Sequence, residues 1–271
     1  PSEEPPSGGI GCVEYSSPTI DHNIIRGYSD GFEGSGITCW EYSNPIISNN
    51  IIVDNQAHYI GGGISCAFYS NPVIINNIIS DNSAGCGGGI YCRENSNPVI
   101  DNNIISRNIA YGRLPFYPYG GAIYCDDSSP EISNNIITRN IAIRHGGGIA
   151  CEFNGNPVIS NNTISKNSAF CGGGIYSAAC DPIILGNLIY KNYASDWGGG
   201  VRCDVCNVIF SNNTIYGNSA VGGGGIHCYG SSIIIRNTIL WADSASSADP
   251  EIYIDENSSA SIIYCDIQGG W

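Results

Sequence analysis

Isoleucine recurs along the chain in short alternating segments that are separated by glycines and by Asn-Pro or Asn-Asn pairs. The segment Ile90-Tyr91-Cys92 is typical. Alternation with a period of two predicts β-strands, and the glycine and Asn-Pro pairs supply the backbone geometry of turns. Because no long segment has a helical period, the pattern predicts an all-β chain.

A first motif, Gly-Gly-Ile-x-Cys, shows that these strands repeat. Its last position falls at Cys12, Cys39, Cys66, Cys92, Cys125, Cys151, Ser177, Cys203 and Cys228. The interval between successive members is nearly constant, except for one clearly longer interval from Cys92 to Cys125. A further interval of the usual length reaches Ile254, which predicts a tenth unit in which positions 251–254 replace the glycine motif.

A second motif, Asn-Pro-x-Ile-x-Asn-Asn-x-Ile, is clearest at residues 97–105 and 156–164. Its second paired asparagine predicts a column at Asn23, Asn50, Asn77, Asn103, Asn135, Asn162, Asn187, Asn213 and Asn237. Three residues after the closing isoleucine lies another column, at Asn55, Asn82, Asn108, Asn140, Asn167, Asn192 and Asn218.

A unit of this size cannot bury a core alone, so the units must stack. Parallel stacking places equivalent residues about 4.8 Å apart, and identical buried amides can then hydrogen-bond along each column. Crossovers between parallel strands are right-handed by default, so we predict a right-handed parallel β-helix of about ten coils with roughly 26 residues per coil, about 48 Å long. This single domain is placed at residues 8–271, after a linker or mature start at residues 1–7. Other repeat solenoids need leucine, calcium-binding or six-residue patterns that are absent.

The cysteine column shares a strand face with the isoleucine two residues earlier, so it is predicted to point inward. Three interpretations remain open for it: buried free thiols, vertical disulfides or a metal array. Parallel Cβ atoms about 4.8 Å apart exceed the usual disulfide separation of about 3.8 Å, which favours free thiols. A metal array would need sulfurs that converge on one point.

Cys180 and Cys206 lie outside this column, one repeat apart, and each precedes a predicted ladder asparagine by seven residues. This shared turn position on adjacent coils makes the pair the disulfide candidate of the chain. The total of 13 cysteines is high and odd, which is typical of an oxidising compartment but leaves at least one thiol unpaired.

The charge balance limits the classes of partner that the protein can bind. With 10 Lys and Arg against 24 Asp and Glu, the formal net charge is −14. Nucleic acid and anionic membranes are therefore poor partners, and the apolar runs are too short for membrane insertion. The chain has no methionine and no signal-like segment, which predicts a processed protein. Its acidic composition is typical of a secreted or cell-surface protein.

Evidence for catalysis in the sequence is thin. Asp126 and Asp127 follow a predicted strand, with Glu94 and Glu152 expected on the coils below and above and Arg93 as the one cation at an equivalent offset. We expect an exposed acidic stripe, with a cation site or a catalytic site as alternatives, at Glu14, Glu41, Phe68, Glu94, Asp127 and Phe153.

The remaining residues do not define a functional site. The four histidines fall at unrelated offsets and are expected at the surface: His22, His58, His145 and His227. No catalytic residue, cofactor or metal ligand is assigned, and calcium is left open. The longer interval between Cys92 and Cys125 carries an aromatic insertion, which is either a contact loop or a decoration folded flat on the coil, at Tyr111, Phe116, Tyr117 and Tyr119. A further aromatic column is expected at Tyr15, Tyr42 and Tyr69.

The repeat, as in residues 87–92 (GGGIYC) followed by 97–108 (NPVIDNNIISRN), resembles that of the pectate-lyase-like superfamily, and above all its secreted and surface right-handed β-helix repeat proteins. The segment 120–123 (GGAI) is more distantly similar to chlamydial polymorphic outer-membrane proteins. The resemblance implies the fold but not one activity, since this architecture hosts lyases, hydrolases, epimerases, adhesins and stalks. We therefore expect a secreted structural or adhesive rod that stacks end to end as a filament subunit. The alternative is a protein that binds or cleaves polysaccharide, for example the polysaccharide of a cell surface.

Overall fold

The chain forms a stack of ten coils, described here from a computed structural model over residues 8–29, 31–112 and 118–270. Each coil contributes one strand to each of three parallel ten-stranded sheets. Seven coils add a strand to a fourth sheet, and two earlier strands pair separately. Coils are numbered here from 1 to 10 by their strand in the first sheet. The part of the chain described contains no helix.

The bounds of the strands follow the repeat. The first sheet consists of Ile10–Cys12, Ile37–Cys39, Ile64–Cys66, Ile90–Arg93, Ile123–Asp126, Ile149–Glu152, Ile175–Ala178, Val201–Asp204, Ile226–Tyr229 and Ile252–Ile254. The second sheet consists of Thr19–Asp21, Ile46–Ser48, Val73–Ile75, Val99–Asp101, Glu131–Ser133, Val158–Ser160, Ile183–Leu185, Asn207–Ser211, Ser232–Arg236 and Ser259–Ile263.

The third and fourth sheets complete each coil. The third sheet consists of Ile24–Arg26, Ile51–Val53, Ile78–Ser80, Ile104–Ser106, Ile136–Thr138, Thr163–Ser165, Leu188–Tyr190, Thr214–Tyr216, Ile239–Trp241 and Asp266–Ile267. The fourth consists of Ser83–Ala84, Ile109–Ala110, Ile141–Ala142, Ser168–Ala169, Tyr193–Ala194, Ser219–Gly222 and Ser244–Ala248. The separate pair is Gly31–Glu33 with Ala57–Ile60.

The predicted all-β solenoid of about ten coils is thus confirmed, including the tenth coil at Ile252–Ile254. The strands of the three large sheets extend from Ile10 to Ile267. The expected linker, residues 1–7, lies outside the described residues.

The interior is filled by columns of isoleucine, one from each of the three large sheets. In coil 3, Ile64, Ile74 and Ile79 are all fully buried. They pair in register with Ile90, Ile100 and Ile105 of coil 4. Burying one such side chain contributes about 1.5–3 kcal/mol, so the repeated isoleucines strongly stabilise the contact between coils.

The glycine motif has a steric reason. Gly146 has a φ of 67°, a conformation that side chains with a Cβ atom rarely adopt. A Cβ atom on Gly147 would lie 2.5 Å from the carbonyl oxygens of both Gly173 and Ser168. Only glycine therefore lets the chain turn from the fourth sheet back into the first while the coils remain in contact.

The paired asparagines have two different tasks. The first of each pair, such as Asn102 with a φ of 52°, turns the chain in the left-handed region that asparagine tolerates. The second points inward and forms a ladder with its neighbours. Asn103 Oδ1 accepts hydrogen bonds from Asn77 N at 2.9 Å and from Asn77 Nδ2 at 3.0 Å. The Asn77 Nδ2 also donates to the Ile47 carbonyl at 2.8 Å.

The ladder continues in coil 9 through Thr238 and not, as predicted, through Asn237. Thr238 Oγ1 accepts a hydrogen bond from Asn213 N at 3.3 Å and is buried, whereas Asn237 is exposed with a φ of 50°. Asn237 is the turn residue of its pair, and the side chain that follows it completes the column. In coil 10 the position falls to Cys265, whose thiol donates to the Ile235 carbonyl at 3.5 Å.

The structure places the whole cysteine column inside the solenoid, where its members are buried and all are free thiols. Cys92 pairs in register with both Cys66 and Cys125. Hydrogen bonding to Cys125 and burial raise the pKa of the Cys151 thiol well above its usual value. Cys151 therefore contributes neutral, apolar packing at neutral pH.

Cys180 and Cys206 lie on adjacent coils, and the structure holds both as free thiols, without the predicted disulfide bond. They occupy a column that is otherwise mostly serine, with Ser128 two coils below Cys180 and Ser231 directly above Cys206. Each thiol takes over the hydrogen bond of a serine hydroxyl. Cys180 donates to the Cys151 carbonyl at 3.2 Å and Cys206 to the Asp204 carbonyl at 3.1 Å.

Candidate functional site

The outward face of the first sheet carries a row of tyrosines and carboxylates, which we call the tyrosine–carboxylate strip. In each pair, a tyrosine hydroxyl donates a hydrogen bond to a carboxylate one coil further on. The pairs are Tyr91 to Asp126 at 2.9 Å, Tyr124 to Glu152 at 2.8 Å and Tyr176 to Asp204 at 3.0 Å. The strip runs along coils 4 to 8, over the surface on which the sequence analysis placed its acidic candidates.

Although the strip faces away from the main core, most of it is covered. The turn that enters the first sheet brings His145 against Tyr119 and Tyr176, with ring centroids 5.1 and 4.4 Å apart. Tyr91, Tyr124 and Tyr176 are consequently buried and form a second hydrophobic cluster outside the solenoid. The strip is a small additional core with carboxylates along its edge.

Burial raises the pKa values of two carboxyl groups in the strip. It raises the pKa of Glu152 to about 7, although the hydrogen bond from Tyr124 acts in the opposite direction. Burial also raises the pKa of Asp126, against the Tyr91 hydrogen bond and the Arg93 charge. Asp204 is held differently, because Arg202 Nε donates to its Oδ1 at 2.8 Å.

Two histidines are not surface residues, contrary to expectation. His227 is buried and stacks on Tyr253 with centroids 4.7 Å apart. Burial lowers the pKa of His227 to about 4 and that of His145 to about 3. Both rings are therefore neutral at pH 7 and act as aromatic packing groups. Their offsets differ because His145 lies in the turn and His227 lies in the strand.

A carboxyl that titrates near neutrality can act as a general acid. However, Glu152 is only 6% exposed and its carboxylate is already bound by Tyr124. The nearby cation, Arg93, stacks over the rings of Trp40 and Phe68 at 5.3 Å from each centroid. The geometry thus favours a supporting role for the strip, and no catalytic residue is assigned within it.

The expected acidic stripe is a line of turn residues. Glu14, Glu94 and Asp127 have φ values of 52°, 53° and 48°, and the stripe mixes exposed and half-buried side chains. Asp126 and Asp127, adjacent in sequence, separate: the first joins the strip and the second lies exposed in the turn. In the sequence, the carboxylates of the strip stand directly after a cysteine of the column, whereas the residues of the acidic stripe stand one position later.

The aromatic residues that were predicted as a column or as a contact loop lie in different places. Tyr42 stacks on Tyr15 and on Tyr69 with centroids 5.2 Å apart, which forms a ladder on coils 1 to 3. From the insertion, Tyr111 lies flat on the rod, and its hydroxyl donates to the Ala57 carbonyl at 3.3 Å. Tyr119 packs in the second cluster. Phe116 and Tyr117 lie outside the described residues.

A second unusual arrangement lies at the C-terminal end. Asp243 takes the next position of the second asparagine column, and its Oδ1 accepts from Asn218 N at 2.6 Å and Nδ2 at 2.9 Å. Its Oδ2 is buried, as is Glu251 Oε2, and in the described part no other donor reaches either atom. Burial and the contact with Glu251 raise the pKa of Asp243, and burial raises that of Glu251, so the folded state favours the protonated form of both carboxyls.

Next to this acid pair, a pocket of about 380 Å³ opens at the end of the stack. Its lining combines apolar and polar groups and includes Glu251, Ile252, Ile254, Ile267 and Gln268. Within the described ranges, no group of three or more His, Cys, Asp or Glu side chains is arranged to hold a metal ion.

The stacked coils with in-register columns define a parallel β-solenoid. The chain belongs to the family described as the right-handed β-helix region, which matches residues 5–115 and 116–240. This confirms the resemblance found in the repeat. No curated protein and no solved structure matches the chain significantly. Among the described residues, no helix is long and apolar enough to cross a membrane.

Proposed function

We propose that this protein is a secreted structural or adhesive rod that associates end to end with further copies of itself. The observation that carries this proposal is the unfilled core at the C-terminal end of the described stack. Ile254, Ile262 and Ile267 pack against the main core but remain partly exposed, and two of them line the pocket there. The backbone edge of the last coil is unpaired within the described chain.

The opposite end offers the complementary surface. Ile10, Cys12, Ile20 and Ile25 of coil 1 continue the same core columns in the same register. An exposed strand edge with an apolar face templates further pairing. Contacts of one end with the other do not close on themselves, so they generate filaments. The extracellular location is part of the proposal and is supported by the acidic composition.

Light scattering and electron microscopy of the 271-residue chain over a wide concentration range test the proposal. We expect rods that lengthen with concentration. Ile254→Glu, which places a charge in the terminal pocket, should shorten them. Ile263→Glu is the matched control, because Ile263 lies in the same coil but is 40% exposed. Particles that stay monomeric at all concentrations, or equal effects of the two variants, would contradict end-to-end association.

Polysaccharide binding is a second candidate function. It is favoured by a row of exposed cations along another edge of the rod. Cleavage has no comparable support, because the carboxylates of the tyrosine–carboxylate strip are bound by tyrosines and largely covered.

A further inference from the structure

Four exposed basic residues lie in one column of an otherwise acidic rod. They occupy the turn between the third and fourth sheets on coils 4 to 7, and we call them the basic column: Arg107, Arg139, Lys166 and Lys191. The whole chain has only 10 Lys and Arg residues, so two fifths of its cations share one edge. Such clustering calls for a physical reason.

The backbone fixes the spacing of the basic column. All four residues have φ values between 53° and 60°, and each is followed directly by an inward asparagine of the second ladder. Asn140, after Arg139, accepts from Asn108 N at 2.9 Å, and Asn167, after Lys166, accepts from Asn140 N at 2.9 Å. The cations are therefore spaced one coil apart, about 4.8 Å, along the axis of the rod.

Stability alone does not account for the column. Like charges on adjacent strands repel each other, and alternating signs would be more favourable. Arg107 is bound by Asp81, with Nη2 2.6 Å from Oδ2. Within the described part of the chain, no ion pair holds Arg139, Lys166 or Lys191. Among those described residues, three cations in a row are thus exposed to solvent without an ion-pair partner.

Beside the basic column, the third sheet presents groups that suit a sugar chain. Thr138 Oγ1 and Ser165 Oγ lie 3.1 Å apart in one row on coils 5 and 6, where Ser165 is buried and Thr138 half-buried, so these hydroxyls bind each other. On the following coils the same row becomes aromatic, as Tyr190 pairs in register with Tyr216 and Tyr216 with Trp241. Tyr216 is 42% and Trp241 46% exposed, so their apolar surfaces are open to a ligand. Aromatic rings of this kind combine apolar contact area with a polar edge.

We infer that the basic column and its flanking row bind a linear anionic polysaccharide that runs along the rod. The cations meet one carboxylate or sulfate group per sugar, and the exposed rings contact the sugar faces. Duplex DNA fits less well, because it carries one charge per about 1.7 Å, much closer together than the cations, which are about 4.8 Å apart. This inference rests on the adhesive part of the proposed function and does not depend on end-to-end association.

The test is binding of the intact chain to immobilised polygalacturonate, to a sulfated dextran and to duplex DNA at increasing salt concentration. The triple variant Arg139→Gln, Lys166→Gln, Lys191→Gln removes the unpaired part of the column. The matched control removes three exposed arginines elsewhere: Arg26→Gln, Arg144→Gln and Arg236→Gln. Both carry the same change in net charge. Separately, Trp241→Ala tests the aromatic row, and neutral dextran serves as the uncharged ligand.

We expect the native chain and the control to bind at least one anionic polysaccharide at low salt, with affinity that falls as salt rises. The triple variant should bind at least tenfold more weakly, and neutral dextran should not bind. The two anionic polymers distinguish carboxylate from sulfate recognition. Absence of binding, equal weakening in the triple variant and the control, or stronger binding to DNA would overturn the inference. Rod length measured on the same triple variant should be unchanged, so loss of ligand binding and loss of end-to-end association are separate outcomes.

Discussion

The middle coils and the last two coils use the same columns with different chemistry. In coils 2 to 8 a neutral, buried asparagine fills each ladder position. In coils 9 and 10 these positions pass to Thr238, Asp243 and Cys265, which accept or donate fewer hydrogen bonds. The middle is therefore self-consistent from coil to coil, whereas the end contains groups that depend on protonation. Each coil of a solenoid is stabilised by contacts with its neighbours only. Because the hydrogen bonds between the last coils are fewer, we expect the C-terminal coils to unfold first.

The largest expected effect comes from breaking the ladder in its middle. Asn103→Leu removes an acceptor for Asn77 N and donors to the Ile74 carbonyl and to Asn135 Oδ1. Each buried group left unpaired costs on the order of 1–3 kcal/mol, so the free energy of unfolding should fall by at least about that amount. Chemical denaturation followed by circular dichroism measures it.

Thr238→Val makes the corresponding change at the end of the same column. It removes one acceptor, for Asn213 N, and one donor, to the Arg236 carbonyl. The loss should be clearly smaller than for Asn103→Leu. Equal losses at the two sites would contradict the difference between the middle and the end.

An intermediate effect, in the opposite direction, is expected from Asp243→Asn. The substitution continues the asparagine column and removes one of the two neighbouring buried carboxyls. Because burial raises the pKa of Asp243 in the folded state, its contribution to stability is present below the unfolded value of about 4 and is lost as pH rises through the folded pKa. Denaturation from pH 4 to 9 should show the wild type losing stability relative to Asp243→Asn.

Glu152 provides the control for this pH dependence. Burial raises its pKa to about 7, so both proteins should lose some stability between about pH 4 and 7 for this separate reason. The double variant Asp243→Asn, Glu152→Gln should have the flattest profile. If Asp243→Asn is less stable than the wild type at pH 8, the buried Asp243 carboxyl does not destabilise the folded state as expected.

The fold was predictable because it depends on local and repeated rules. The spacing of Ile and Cys determines which face is inward, and stacking then brings equal residues together. The position of Thr238 was not predictable by identity alone, since Asn237 fits the motif and differs from the true column by one residue. The tyrosine–carboxylate strip was missed as a unit because its burial depends on the turns of two successive coils, which carry Tyr119 and His145. Those turns cover the sheet only in three dimensions.

The smallest expected effect concerns Cys180 and Cys206, where sequence and structure differ. If both are thiols that replace serines, Cys180→Ser should change the free energy of unfolding by less than about 1 kcal/mol, because the hydroxyl makes the same bond to the Cys151 carbonyl. Cys180→Ala should cost more, because that bond is lost. If instead the two form a disulfide in solution, Cys180→Ser should cost about 2–4 kcal/mol. Alkylation of the unfolded, unreduced protein decides between them independently of stability. All 13 cysteines should be modified if they are thiols, and a single disulfide would leave two of the 13 unmodified.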